Sequence, residues 1–145
     1  MISSIEDDII APMNNKELAD TFSLIADLMQ IKGEVIYKIL AYRKAADTLV
    51  AYPRSVKDLY EEGSKLTDIP GVGKAIGDKI AELLDTGKLE FLEKLKKEVP
   101  VSLADMLEVP DLGPKKVKLF WDELNITTIE QLKKAAEDGQ LRDLA

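Results

Sequence analysis

The stretch IPGVGKAIGDKI, residues 69–80, concentrates more chemistry than any other part of this chain. Gly71 and Gly73 flank Val72, Pro70 stiffens the entry, and a helix-like run follows at once. A turn of this kind leaves the first backbone N–H groups of the following helix without intrahelical acceptors. The helix dipole adds partial positive charge at the same place, so the feature can hold an anion. Glycine at 71 and 73 lets the anion approach the main chain closely, and Lys74 supplies a formal charge. A DNA backbone phosphate is the natural ligand, and contacts of this kind position DNA without reading its sequence. On the other side of the turn, the carbonyls of Thr67, Ile69 and Val72 are candidate ligands for a monovalent cation, K⁺ or Na⁺. The same spacing also occurs in ordinary turns between helices, so the motif alone leaves both readings open.

Lys79 sits at the edge of an apolar stripe made by Ile76, Ile80, Leu83 and Leu84. From spacing it reads as a solvated helix lysine whose stem covers apolar surface. The other reading is a Schiff-base nucleophile. That chemistry needs the neutral amine, which partial burial or neighbouring cations favour. Lys38 and Lys44 are the cations that the second helix can offer.

The turn recurs about forty residues on: MLEVPDLGPKKVKLFWDEL follows the pattern of LTDIPGVGKAIGDKIAEL. Gly113 keeps the second glycine, Pro114 suits a first helical position, and Lys115, Lys116 and Lys118 bring charge. Asp111 stands where the first glycine would be, and its carboxylate repels phosphate. The corresponding cation-binding carbonyls are those of Leu107, Val109 and Leu112.

Composition removes most other chemistries. The 145 residues include no cysteine and no histidine, which excludes disulfides, Cys/His zinc sites and Ser-His-Asp triads. Hydrophobic content of 46% with 32% charged residues is that of a folded chain. No apolar run approaches a membrane span. The net charge of −7 argues against nonspecific attraction to nucleic acid, so DNA contacts must rely on shaped sites.

The elements that must position these residues all read as helices. Asn14 or Asn15 caps a first helix with Leu18, Phe22, Ile25 and Met29 inward, stopping near Gly33. A second runs over about 34–52 with Ile36, Ile39, Leu40, Ala46, Leu49 and Val50 as its buried stripe, ended by Pro53. Ser55 caps a short helix closed by Gly63, residues 64–69 add a further turn, and the first hairpin helix ends at Gly87. Another helix reaches Pro100. The second hairpin follows, and Thr127 or Thr128 caps a last helix through a capping box. The expected fold is all-α, a compact helical bundle with two helix-hairpin-helix motifs. Its parts are an acidic, flexible lead-in (1–13), a helical domain with the first hairpin (14–100), which the resemblance described below makes a gap-binding, lyase-like domain, and a second hairpin module (101–145). The short last piece reads as an interrupted architecture, a fragment or truncated product.

AYRKAADTLVAYP (41–53) with LTDIPGVGKAIGDKIAELLDTGKLEFLEKLKKEVP (66–100) resembles the amino-terminal domain of family X DNA polymerases, the group of DNA polymerase beta. The lysine-rich IPGVGKAI version is similar to the bacterial and archaeal branch. LEVPDLGPKKVKLFWDELNITTIEQL (107–132) resembles the second hairpin module, at the start of the polymerase core. The resemblance covers about residues 15–141. It implies a DNA repair role: binding of gapped or nicked DNA, independent of sequence, with the downstream 5′-phosphate held by the first domain. Gly71, Val72, Gly73, Lys74, Lys38 and Tyr42 would serve that phosphate, and Gly113, Lys115 and Lys116 the primer side. Lys79 matches the lysine that forms a Schiff base with an abasic sugar phosphate and cleaves by β-elimination. The chain departs from beta-like members at Thr67, Asp68 and Ala75, where they are more basic, and at Tyr37, where they carry a histidine. The palm carboxylates match nothing here, so no polymerase activity is expected from this chain, and Mg²⁺ would belong to the missing polymerase core. The expected setting is cytoplasmic, at the nucleoid, as a monomer without a membrane partner. A reading from another class is a helical protein-interaction module whose hairpins only pack.

Overall fold

A computed structural model describes residues 13–142. Residues 1–12, and with them almost all of the expected lead-in, lie outside the described part. Within it the chain is helical, with no strand among the described residues. No described helix is long and apolar enough to cross a membrane.

Helix α1 (Asn15–Lys32) is the centre. The Asn14 side chain accepts the Glu17 amide at 2.8 Å and caps it, and Gly33 closes it in the left-handed conformation at φ 93°. Asn15 does a different task. Its amide donates to the Arg54 carbonyl at 2.7 Å, and its carbonyl oxygen accepts the Val56 amide at 2.9 Å, tying the start of α1 to the corner at Arg54 and Val56. Leu28 and Ile31 are buried together with Leu18, Phe22, Ile25 and Met29, so α1 is covered on more than one face. Its neighbours explain this: α2 (Ile36–Ala51) packs along it, and α5 (Glu90–Glu98), α6 (Ser102–Met106) and α7 (Pro114–Leu124) pack elsewhere on it. One continuous set of buried side chains therefore runs through both hairpin regions.

In α2 the buried positions are Ile39, Tyr42, Ala45, Ala46 and Leu49. The expected stripe is corrected at three positions: Ile36, Leu40 and Val50 are 59%, 56% and 59% exposed. Each residue advances about 100° around a helix, so Leu40 turns away from the face that Ile39 and Tyr42 share. The inward side is set by Tyr42, whose ring stacks on the buried Phe22 at 6.0 Å between centroids.

Between α2 and the first hairpin lie α3 (Val56–Glu61), capped by Ser55, and a 3₁₀ turn (Leu66–Asp68). Helix α4 (Lys74–Thr86) follows and ends on Gly87 at φ 77°. Helix α7 ends on Asn125, left-handed at φ 54°. The last helix, α8 (Ile129–Glu137), starts with a full capping box between Thr128 and Gln131.

Candidate nucleic-acid interface

The sequence places Pro at the second position of each turn and asks the third to take a left-handed conformation, a type II turn. Both turns form in this way. Val72 N–H donates to the Ile69 carbonyl at 3.0 Å, with Gly71 at φ 83°. Leu112 N–H donates to the Val109 carbonyl at 3.1 Å, with Asp111 at φ 67°. After the turn, Gly73 and Gly113 are extended and cap α4 and α7 with no side-chain hydrogen bond. The first intrahelical bonds are Gly77 N–H to Gly73 at 2.8 Å and Val117 N–H to Gly113 at 3.0 Å. The amides before them, including Lys74, Ala75 and Ile76 in the first hairpin, have no carbonyl of their own helix to meet.

The glycines have different reasons. A Cβ at Gly71 would lie 3.2 Å from Thr48 Oγ1 and 3.4 Å from Lys44 Cε, and the positive φ already disfavours any side chain there. A Cβ at Gly73 or Gly113 would meet nothing within 4 Å, and their φ values of −87° and −89° suit any residue. Nothing inside the fold requires glycine at either cap. A bare cap leaves the helix amides open to a group from outside.

The turns differ in charge. Lys74 is solvent-exposed and pairs with Asp78 at 3.0 Å. In the second hairpin Lys116 donates to the Asp111 carbonyl at 3.4 Å, Pro114 removes one amide, and Lys118 pairs with Asp122 at 3.3 Å. The candidate cation ligands Thr67, Ile69 and Val72 span the first turn, and Leu107, Val109 and Leu112 span the second. In each, the middle carbonyl already accepts the turn amide. Among the described residues no three acidic side chains come together as a metal site.

Beside the first hairpin a pocket of about 370 Å³ opens between α2 and the start of α4. Tyr37, Lys38 and Tyr42 line it from one side, Ala75 and Ile76 from the other, and Phe91 of α5 closes it. The structure brings Lys38 and Tyr42 together on one wall of this pocket. It splits the two cations considered for Lys79: Lys38 faces the pocket, whereas Lys44 packs against the hairpin at Gly71. Burial pushes the Tyr42 hydroxyl pKa up. Lys79 is half-buried, with its Nζ 4.9 Å from the Phe91 ring centroid and 6.0 Å from that of Tyr42. The two rings stack at 5.8 Å and 8°.

Phe91 escaped the sequence reading. Leu89, Leu92 and Leu95 carry the buried face around it. The available signal was an aromatic residue one position off that face.

A second groove, of about 550 Å³, lies between the α1–α2 corner and the second hairpin. Gly33, Ile36 and Ile39 form one wall, and Gly113, Lys115 and Lys116 the other. Glu34 borders both this groove and the first pocket, so the two hairpin sites flank a single corner of the fold.

Comparison with known proteins fits this geometry. Residues 13–89 match the family described as a helix-hairpin-helix domain. The chain is 35% identical over 133 residues to DNA polymerase/3'-5' exonuclease PolX of Bacillus subtilis (strain 168), covering 92% of this chain and 23% of that protein. It is 29% identical over 124 residues to DNA polymerase lambda of Arabidopsis thaliana, covering 84% of this chain and 22% of that protein. With DNA polymerase lambda of Rattus norvegicus the identity is 29% over 87 residues, 60% of this chain and 14% of that protein. The chain therefore spans less than a quarter of the length of these relatives. The resemblance to family X DNA polymerases read from the two hairpin motifs is the one these alignments return.

Proposed function

Because this chain belongs to the helix-hairpin-helix domain family, we propose that it is a DNA-binding region of a family X DNA polymerase and holds gapped DNA by its backbone phosphates. The single observation that carries the reading is the pair of bare caps. Gly73 and Gly113 each open a helix N-terminus outward where the fold itself has no need of glycine. A phosphate fits that opening because its oxygens accept from several amides at once, aided by the helix dipole.

The finer reading is that the first hairpin and its pocket take the downstream 5′-phosphate at a gap. Lys74 lies at the helix start, and Lys38 and Tyr42 line the adjoining pocket, which is roomy enough for a sugar phosphate. A monovalent cation on the turn carbonyls would bridge loop and phosphate. Gapped duplex carrying a 5′-phosphate should bind at least about tenfold more tightly than the same duplex with a 5′-hydroxyl, since a charge-assisted contact is lost. Rising salt should weaken both. Equal and negligible affinity would instead favour a protein-interaction module, a reading supported by the exposed Val35, Ile36, Tyr37 and Leu40.

A lyase role rests on Lys79 beside the same pocket. Its amine would attack C1′ of an abasic sugar and release water to form the imine, and loss of a C2′ proton would then expel the 3′-phosphate. Borohydride should trap a covalent adduct on abasic DNA, and Lys79→Ala should abolish it. Unchanged trapping in that variant would remove Lys79 from the role.

A further inference from the structure

We propose that Phe91 is a positioning residue that holds the Lys79 amine as a cation against the Tyr42–Phe91 ring pair, favouring phosphate binding there over imine chemistry. The inference rests on reading the adjoining pocket as a phosphate site. Its geometry stands independently of DNA. The Lys79 Nζ lies 4.9 Å from the Phe91 centroid and 6.0 Å from that of Tyr42, within the range at which ring faces attract a cation. The rings are nearly parallel, and Tyr42 rests in turn on the buried Phe22 at 6.0 Å, so the pair is anchored to the core.

The other charged groups around this amine are already engaged or belong to the pocket. Among the described residues Lys79 makes no ion pair, whereas Asp78 on its own helix pairs with Lys74. Glu82, also on α4, accepts the Glu90 amide at 2.8 Å. From α1, α2 and their corner, Glu34, Tyr37, Lys38 and the Tyr42 hydroxyl face the pocket, and Glu34 lies 3.4 Å from Lys32. On the far side of Phe91, α5 contributes Lys94, and Glu98 pairs with Lys32. With no ion pair among the described residues, the amine has the two ring faces as its recorded partners. A ring face attracts the ammonium and offers the neutral amine much less. An imine requires the neutral amine, so the aromatic seat acts as a brake on that reaction and leaves a fixed positive charge beside the pocket.

The test uses formaldehyde and cyanoborohydride on the full chain without DNA, which separates it from the binding experiment. The neutral amine attacks formaldehyde, water leaves to give the iminium, and hydride from the cyanoborohydride reduces it to N-methyl-lysine. Initial rates at each lysine are read by peptide mass mapping, with the exposed Lys133 as internal reference. Phe91→Leu keeps an apolar side chain without a ring face. It should speed Lys79 methylation, relative to Lys133, about threefold at neutral pH. Phe91→Tyr should restore the parent rate. A Phe91→Leu rate equal to that of the parent, or a Phe91→Tyr rate raised as far as that of Phe91→Leu, overturns the proposal. Should Phe91→Leu fail to fold, the parent protein still decides. The ¹³C-methyl signal of methylated Lys79 should be displaced by ring currents from those of exposed lysines, and coincidence with them overturns the seat.

Discussion

At residues 69–73 and 109–113 the chain makes the same turn twice, yet Gly71 in the first becomes Asp111 in the second, and the first helical residue changes from Lys74 to Pro114. The backbone conformation survives both changes. What it needs is proline at the second position and a residue at the third that tolerates positive φ, and Asp tolerates it better than most. Anion-holding capacity does not survive equally. Pro114 has no amide to offer, and Asp111 places a carboxylate in the turn. The comparison separates the shape of a hairpin from its chemistry: two turns can superimpose in hydrogen bonding and differ in what they attract.

The contrast can be broken most forcefully at the caps. Gly73→Asp supplies a good N-cap, and its Cβ meets nothing within 4 Å, so helix stability should hold or rise slightly. The new carboxylate should compete with phosphate for the α4 amides and weaken gapped-DNA binding about thirtyfold. Gly113→Asp should weaken binding only about threefold, because that hairpin already carries an acid and one amide fewer. Fluorescence anisotropy titrations measure both. Equal losses would mean that the two hairpins share the work evenly.

Stability sharpens the same comparison. Gly71→Ala forces a side chain into a left-handed position against Thr48 and should cost about 2 kcal/mol in urea unfolding. Asp111→Gly relieves a strained φ and should gain about 0.5 kcal/mol, after allowing for the freer unfolded chain. Losing stability at both positions would show that Asp111 makes a contact of its own. A smaller effect is expected at the exposed Lys74. Lys74→Ala should lower affinity about threefold at moderate salt and reduce the salt slope by about one.

The weakest handle is pH. Burial raises the Tyr42 pKa in the folded chain. Its contribution is complete below the unfolded value of about 10 and is lost as pH climbs through the raised folded value. Alkaline unfolding should therefore be blunted in Tyr42→Phe, and an unchanged alkaline limb would place the cause elsewhere.

Much of this was legible in the sequence because capping and turn chemistry are local. Asn14, Gly33, Ser55, Gly87 and Thr128 mark their helix ends as the residue types predict. The inward face of α2 was harder. Ile36, Leu40 and Val50 are apolar enough for a core, and only the packing of Tyr42 on Phe22 shows which side is buried. Lys79 shows the same limit from the other direction. Periodicity placed it at a stripe edge, but its aromatic seat joins α2, α4 and α5, and that proximity is tertiary. Lys38 and Lys44 are equal candidates by sequence as cations near Lys79, and only the tertiary structure shows that Lys44 packs on Gly71.

The central claim is that the first hairpin, more than the second, recognises a terminal phosphate. The most direct measurement is the affinity ratio for gapped duplex with a 5′-phosphate over 5′-hydroxyl, taken in the parent chain, Gly73→Asp and Gly113→Asp at one salt concentration. The account predicts a ratio of about ten or more in the parent and in Gly113→Asp, collapsing toward one in Gly73→Asp. A ratio near one in the parent, or one that collapses in Gly113→Asp and persists in Gly73→Asp, would contradict it.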